Sequence, residues 1–475
     1  MERSIGLFFC NGAFKVAAMK KLILAAAGAA LAFASAAAAQ SAQEQLDTRY
    51  ERALAAGYKA LMLCSAIANA ERAGATRTPE SVEKWELTGI QAPLDGIVGE
   101  LPYEITTLAE NNPGIGVQVR MVSVRWASDM PPRFARHDSA KGCQLYPVDS
   151  TMPPFSSVHG RQLRASVPVT PFAPGLLSNA ATAAFSAAYG EGTRTTAIHI
   201  SETGQILGER YAGEFDANTP QRTWSVAKSI AATLVGMAVH RGEADANASA
   251  GLGADASDPR RAITVDHLLR MASGRYSDTP GNRTDALYFG GGTVEETAAH
   301  WPLIHAPGSV FRYANNDTLM AVKAISPTFA EHPPGEFFAK LWMHDTVAET
   351  DWKGDYVLSS QVWSTARDLA LFGQLYLDDG VLPNGERVLP QGWRDYVSTP
   401  SGPQPAGPFG YGAGFWLMNR SEGVPPDTFA AFGNRGQYVV IVPSRNVVIV
   451  RRGEDPVGTR FDIAAFTRDV LAALD

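Results

Sequence analysis

The chain has 475 residues, of which 45% are hydrophobic and 19% are charged. This composition is typical of a globular protein with a large buried core, long enough for two domains, and it excludes a disordered or collagen-like chain. The net charge is −7 and no run of Lys and Arg reaches five residues, so the basic face of a nucleic-acid-binding protein is missing.

A targeting segment is predicted over residues 1–39. Met19-Lys20-Lys21 precedes an apolar run, Leu22 to Ala34, and then small residues that end in Ala37-Ala38-Ala39-Gln40. This pattern is typical of a secretory signal peptide that starts at Met19, with residues 1–18 upstream of the true start, and is cleaved near Ala39/Gln40. The run is shorter than the roughly 20 residues that span a bilayer. We therefore expect a periplasmic or secreted protein with no stable membrane anchor after cleavage; the alternative is a buried N-terminal helix.

Residues 42–146 are predicted to form an extension of one helix and several strands. The helix covers about 42–74, and an alternating stretch, 117–126, changes phase once, which predicts a strand with a bulge. A return strand then carries Cys143 back towards the helix. The apolar positions that predict the helix are Leu46, Tyr50, Leu54, Tyr58, Leu61 and Ile67.

Two cysteines, Cys64 and Cys143, remain after Cys10, which precedes the predicted start. In an oxidising compartment a pair predicts one disulfide. The alternative is two unpaired buried thiols.

A proline-rich linker is predicted at 147–175, with a domain boundary there, and a second domain at 176–475. This domain is α+β: we expect a five-stranded antiparallel sheet built from both chain ends, flanked by helices, with a mostly helical subdomain inserted. Its predicted strands are 195–201, 205–213, 428–432, 437–442 and 447–451, between a helix near 176–190 and a last helix at 461–474.

Several common sites are missing from the sequence. It has no G-x-S-x-G, so the nucleophile elbow of an α/β-hydrolase is not predicted. It also has no H-E-x-x-H and no close Cys/His cluster, so a catalytic metal is not predicted. Gly251-Leu-Gly253 imitates a dinucleotide fingerprint, but no strand precedes it and no helix follows. No cofactor is predicted.

The chemistry is predicted at Ser225-Val-Ala-Lys228, which begins a helix that is apolar nearly all round. Lys228 lies one turn from Ser225 on the same face, and burial would lower its pKa and make it a base for the serine. A second S-x-x-K, Ser81 to Lys84, has the pattern of a solvated helix start. The alternative for the first is a serine N-cap with a lysine that reaches solvent.

Two further segments add candidate groups. Tyr313-Ala-Asn315 offers a phenol for proton transfer and an amide for holding substrate. Gly433-Asn-Arg-Gly436-Gln437 precedes an apolar strand, where a glycine would let substrate approach and the Gln437 N–H would join that of Ser225 in an oxyanion hole. Taken singly, an ordinary turn and an ordinary hairpin explain them equally well.

These three motifs, in this order, resemble the serine β-lactamase and penicillin-binding-protein superfamily over about 176–475. The closest likeness is to class C β-lactamase-like esterases and 6-aminohexanoate-oligomer hydrolases. The resemblance implies that Ser225 is the acylated nucleophile, that Lys228 and Tyr313 share the proton transfers, that Asn315, Asn434, Gly436 and Gln437 bind substrate, and that no cofactor is needed. Ile263–Gly274 and Ser359–Gly373 also resemble the superfamily.

The third motif departs from the superfamily pattern. Many β-lactamases and peptidases have Lys-Thr-Gly or His-x-Gly there, and Asn434-Arg-Gly436 lacks the cation at the first position. This favours a small ester or amide as substrate. The alternatives are a non-catalytic binder of peptidoglycan peptides or β-lactams, and a true β-lactamase or D-amino peptidase.

Overall fold

The computed structural model describes residues 12–108, 118–151, 168–277 and 286–475, with side chains from residue 40 onward. The chain forms two compact units, Met1–Arg52 and Ala53–Asp475. The first unit is helical from Gly12, within the long helix α1, Gly12–Ala73. The other helices are α2 Pro79–Trp85, α3 Asp95–Val98, α4 Leu176–Ala183, α5 Val226–His240, α6 Val265–Leu269, α7 Val294–Ala298, α8 Asn315–Ile325, α9 Pro334–Lys340, α10 Ala366–Leu377, α11 Trp393–Ser398 and α12 Ile463–Ala472.

The strands form three sheets. A four-stranded sheet has the order β1-β2-β3-β4, a seven-stranded sheet the order β10-β11-β12-β13-β14-β5-β6, and a three-stranded sheet the order β7-β9-β8. The strands are β1 Tyr103–Leu108, β2 Gln118–Val124, β3 Arg133–Asp138, β4 Gly142–Leu145, β5 Thr195–Glu202, β6 Gln205–Tyr211, β7 Gln221–Arg222, β8 Val347–Ala348, β9 Val362–Ser364, β10 Gly410–Tyr411, β11 Trp416–Leu417, β12 Phe429–Gly433, β13 Gln437–Val442 and β14 Val447–Gly453.

The large sheet has seven strands where five were predicted. The five predicted strands are all present, and every neighbouring pair is antiparallel. The additional strands, β10 and β11, have two residues each and lie at one edge. Two residues are too few to show an alternating pattern, so only the pairing of β10 with β11 and of β11 with β12 reveals them.

The two faces of this sheet pack against different helices. Val439 and Val448 belong to the core shared with α5 and α10, while Val440 and Ile449 belong to a second core with Phe466 of α12. Successive residues of a strand point to opposite faces, which is why both layers come from the same strands. The overall fold is α+β.

Helix α1 differs from its predicted amphipathic pattern. Leu46 and Tyr50, two of its predicted apolar positions, are each 61% exposed. From residue 55 to 70 every side chain is buried, so this part has no polar face. Its side chains share one hydrophobic cluster with Val122 of β2 and Val226 of α5. Among the described residues, Gln40–Ala73 alone is long and apolar enough to cross a membrane, and 94% of its most apolar window is buried inside the protein.

The extension sheet contains the predicted bulge, at a slightly different place. Thr106 pairs with Met121 and Thr107 with Val119, so Arg120 is the extra residue. Cys143 of β4 and Cys64 of α1 have their sulfur atoms 1.96 Å apart, which is disulfide bonding distance. Of the predicted linker, 152–167 lies outside the described residues, and the domain boundary there stays a prediction.

Candidate active site

Ser225 directly precedes helix α5, whose residues Val226–Ala238 are all buried. Its backbone is helical, with φ −70° and ψ −2°, and its hydroxyl makes no capping hydrogen bond. Lys228 is 1% exposed, so it does not reach solvent. The alternative of a capping serine and an outward lysine is therefore not what the structure shows, and the Ser225 hydroxyl stays available to the groups around it.

The residue before Ser225 has a strained backbone. Trp224 has φ +49°, a backbone conformation that residues other than glycine rarely adopt. The buried guanidinium of Arg222 lies 3.7 Å from the centre of the Trp224 ring. Arg222 in turn donates to Ser360 Oγ at 3.0 Å. These contacts hold the turn that sets the position of Ser225.

Within the described part of the chain, Lys228 Nζ has three oxygen neighbours. It lies 3.0 Å from Ser225 Oγ, donates to Asn315 Oδ1 at 2.5 Å and donates to the Ser359 carbonyl at 2.9 Å. A neutral amine has two hydrogens and one lone pair. Because Asn315 Oδ1 and the Ser359 carbonyl oxygen can only accept, they take the two hydrogens, and the lone pair of the neutral amine is left facing the Ser225 hydroxyl.

Burial lowers the pKa of Lys228 to about 7, and the positive charge of Arg222 acts in the same direction. At neutral pH a large fraction of this side chain is therefore the free amine. This is the protonation state that can accept a proton from a serine hydroxyl.

Tyr313 lies on the other side of the same amine, with its ring centre 5.0 Å from Lys228 Nζ. Burial raises the pKa of Tyr313 to about 12, while hydrogen bonds with Ser225 and Trp416 oppose the rise. The phenol therefore keeps its proton at neutral pH. The structure thus brings four predicted residues together around one serine hydroxyl: Ser225, Lys228, Tyr313 and Asn315.

Residues 181–473 match the family model named Beta-lactamase, which is more than half of the chain. The chain belongs to the beta-lactamase family. Comparison with the curated proteins found no match.

Three solved structures are similar to this chain. A Bacillus anthracis protein, provisionally described as a 6-aminohexanoate-dimer hydrolase, is 21% identical, with 59% of this chain and 79% of that chain covered and a TM-score of 0.51. A family VIII carboxylesterase is 17% identical, with coverages of 64% and 98% and a TM-score of 0.48. An octameric penicillin-binding protein homologue from Pyrococcus abyssi is 19% identical, with coverages of 59% and 73% and a TM-score of 0.47. At an identity this low, the similarity to the first structure bears on the fold alone.

In this beta-lactamase-family chain, the third motif forms a tight turn between β12 and β13. Arg435 has φ +55° and is 4% exposed. Its guanidinium pairs with Glu454 at 2.8 Å and donates to the carbonyls of Trp85 and Thr88 in the extension. Its positive charge is therefore used inside the protein and does not replace the cation that many β-lactamases have at this motif.

Gly436 has a packing role in the structure. A Cβ at this position, where φ is +80°, would lie 1.7 Å from Arg451 Nη1. Arg451 forms a buried ion pair with Asp455 at 2.7 Å, and glycine leaves room for it. Gly433 lies close to the turn before Ser225, because a Cβ there would be 2.3 Å from the carbonyl oxygen of Thr223.

Gln437 and Asn434, the other two predicted substrate-binding residues of the motif, differ in their exposure to solvent. Gln437 is fully buried: its Oε1 accepts from Arg452 Nε at 2.7 Å, and its Nε2 donates to the Gly453 carbonyl. Its side chain therefore belongs to the sheet interior, and its backbone N–H as an oxyanion donor stays a prediction. Asn434 is exposed.

Sequence reasoning missed one group that contacts Lys228, the Ser359 carbonyl oxygen. Ser359 lies within a segment that resembled the superfamily, but nothing in the pattern showed that its carbonyl would accept from Lys228. The aromatic residues of the loop 275–293 predict that it lines the pocket, with a plain surface loop as the alternative, and its Tyr288 hydrogen bonds to Ser359 Oγ at 2.7 Å. Of that loop, 278–285 lies outside the described residues. In the part of the chain that the structure describes, no three His, Cys, Asp or Glu residues are grouped to hold a metal ion.

Proposed function

We propose that this chain is an exported serine hydrolase that cleaves a small ester or amide through an acyl-enzyme on Ser225. The observation that carries the proposal is the set of contacts around Lys228 Nζ. Two acceptors and one hydroxyl surround a buried amine whose pKa is lowered to about 7. A protein that only binds its ligand has no need of a base beside its serine.

In acylation, the free amine of Lys228 takes the proton of Ser225 Oγ as that oxygen attacks the substrate carbonyl carbon. The negative charge on the carbonyl oxygen is stabilised by the backbone N–H of Ser225 and a second N–H from the Asn434–Gln437 turn. Tyr313 donates its proton to the departing oxygen or nitrogen and regains one from the Lys228 ammonium. The proton lost by Ser225 thus ends on the leaving group.

In deacylation the same groups act on a water molecule. The water loses a proton towards Tyr313 and Lys228 as its oxygen attacks the acyl carbon, and Ser225 Oγ recovers a proton when its bond to that carbon breaks. Asn315 keeps Lys228 aligned through its Oδ1, and we propose that its amide also binds the substrate.

The third motif supports an ester or amide over a β-lactam as substrate. The negative charge of a β-lactam carboxylate calls for a cation in the cleft, and Arg435 is committed to Glu454. We therefore expect slow or undetectable turnover of a chromogenic cephalosporin. Rapid turnover of that compound would instead favour a true β-lactamase.

Export is part of the proposal. The N-terminal apolar helix has the features of a signal sequence, and the paired cysteines suit an oxidising compartment. N-terminal sequencing of the protein recovered from the periplasm or medium is expected to start at Gln40. The mature chain would then consist of the extension 42–146, the linker 147–175 and the catalytic domain 176–475.

The experiment is labelling with a fluorophosphonate, read by intact mass, with p-nitrophenyl acetate turnover in the same samples. We expect one adduct and ester turnover in the wild type, both lost in Ser225→Ala. Ser81→Ala is the matched control, because Ser81 begins the second S-x-x-K and its partner Lys84 is 58% exposed; it should label and turn over normally. A folded wild type that neither labels nor hydrolyses would contradict the proposal and favour a binding protein.

A further inference from the structure

A cavity of about 950 Å³ lies beside the edge of the large sheet. Five of its lining side chains are aromatic, and we call it the aromatic cavity: Phe409, Trp416, Phe432, Tyr438 and Phe461. A volume of this order holds a drug-sized organic group. The motifs read from the sequence did not point to it.

The wall of the aromatic cavity is a continuous set of ring contacts. Phe432 stacks on Trp416 at 5.8 Å and meets the edges of Phe409 and Tyr438, each at 5.1 Å. These four side chains are half-buried, so part of each ring faces the cavity. Rings held against one another in this way offer a preorganised apolar surface for a flat group.

The rim of the aromatic cavity has balanced charge. Two exposed cations, Arg420 and Arg460, and two exposed anions, Glu422 and Asp462, line it. No single sign dominates, so the rim does not select an anion or a cation. An uncharged occupant fits this surface best.

The aromatic cavity begins one side chain away from the catalytic group. Trp416 lines it and also packs on Tyr313, with 5.3 Å between the ring centres. Gly433 lines it as well and closely approaches the Thr223 carbonyl, two residues before Ser225. A group that leaves the acyl carbon on the Tyr313 side would therefore extend towards Trp416 and the cavity.

We propose that the aromatic cavity binds the leaving group of the substrate, and that this group is an uncharged aromatic alcohol or amine. The assignment rests on the proposed function, in which Tyr313 protonates the leaving group. As Ser225 Oγ bonds to the acyl carbon, the bond from that carbon to the alcohol oxygen or amine nitrogen breaks, and the proton from Tyr313 completes the neutral product. The acyl part remains on Ser225, outside the aromatic cavity.

The test separates the two halves of an ester. Three substrates are compared: 2-naphthylmethyl acetate, with an aromatic alcohol; methyl 2-naphthoate, with an aromatic acyl group; and ethyl acetate, with neither. Removing one ring of the wall in Phe409→Ala should lower kcat/KM about fivefold to tenfold for the first substrate and no more than about twofold for the others. Phe329→Ala is the control, because Phe329 is a half-buried ring that packs on Tyr356 instead; it should change none of the three.

Each outcome bears on one claim. Fluorophosphonate labelling releases only fluoride, so wild type and Phe409→Ala should label at the same rate. Suppose that both proteins label normally, but Phe409→Ala lowers kcat/KM for methyl 2-naphthoate instead, or for no substrate selectively. Either result would overturn the leaving-group assignment and leave the hydrolase proposal standing. A wild type that does not label would overturn the hydrolase proposal itself, and the assignment with it.

Discussion

Lys228 Nζ lies 3.0 Å from Ser225 Oγ, one helical turn along the same buried helix. The short distance follows from the i, i+3 spacing, but the usefulness of the pair depends on what else the amine contacts. Asn315 and the Ser359 carbonyl occupy its hydrogens, and burial removes the water that would otherwise favour the ammonium. The following predictions test these dependences.

The first prediction concerns pH. Because the pKa of Lys228 is lowered to about 7, the free amine is scarce below that pH and predominates above it. We expect kcat/KM for a neutral ester to rise with pH through an apparent pKa of about 7 and then level off. A profile from about pH 5 to about pH 9 measures it. A plateau that already extends down to pH 5 would contradict Lys228 as the base.

The second prediction concerns Arg222, whose positive charge helps to lower the pKa of Lys228. Arg222→Gln removes that charge, so the Lys228 pKa should rise. The rise of kcat/KM with pH should then occur at higher pH. Arg222→Lys keeps the charge and is the matched control. Arg222 also stacks on Trp224, so circular dichroism must show that both variants are folded. If activity rose with pH through the same apparent pKa in both variants, the charge of Arg222 would not explain the lowered pKa of Lys228.

The third prediction concerns Asn315. Asn315→Asp keeps the shape of the side chain and places a carboxylate against Lys228 Nζ, which stabilises the ammonium and raises its pKa. At pH 7 we expect activity to fall at least tenfold, with partial recovery at higher pH. Asn315→Ala removes the acceptor without adding charge. It should lower activity without recovery at high pH, so pH profiles distinguish the two variants.

The fourth prediction concerns the disulfide between Cys64 and Cys143, which are 79 residues apart. Closing a loop of this length stabilises a fold by about 4 kcal/mol in the chain-entropy model. Cys64→Ser with Cys143→Ser should lower the free energy of unfolding in urea by up to that amount. Reductant should destabilise the wild type similarly and have no further effect on the double variant. An equal stability with and without reductant would show that the bond contributes little.

The fifth prediction concerns Glu349, a buried carboxylate that accepts from five donors: Ser65, Asn69, the Cys143 N–H, Gln361 and Trp363. Glu349→Gln turns an amide N–H₂ towards these donors, so the free energy of unfolding measured in urea should fall by about 1–3 kcal/mol. Burial raises the pKa of Glu349 to about 7. Its stabilising contribution is therefore complete below about pH 4.5 and lost as pH rises through about 7.

The gap in stability between wild type and Glu349→Gln should accordingly narrow from about pH 5 to about pH 8, since only the wild type titrates at this position. Glu331→Gln, at an exposed position between α8 and α9, serves as the control and should show no such change. A gap that widens with pH would contradict the raised pKa.

Local pattern was enough to predict much of the fold. Strand β13 has the predicted bounds, and β14, β5 and α12 differ by only a few residues, because alternation and helical spacing are properties of neighbouring residues. The contact between Ser225 and Lys228 is local in the same way. Tyr313 and Asn315 lie far along the chain; their residue types made them candidates and the resemblance implied their roles. The roles of all four residues stay proposals.

Long-range contacts decided the rest. The two-residue strands β10 and β11 exist because β10 pairs with β11 and β11 pairs with β12. Leu46 and Tyr50 are exposed although their pattern resembled a buried face. Arg435 pairs with Glu454, and Gly436 makes room for Arg451 and Asp455, because residues remote in sequence fill the space on that side of the turn. Sequence spacing determines which side chains share a turn or a face. Only the packing of distant segments determines which groups that face contacts. Those contacts decide whether a buried lysine such as Lys228 can act as a base.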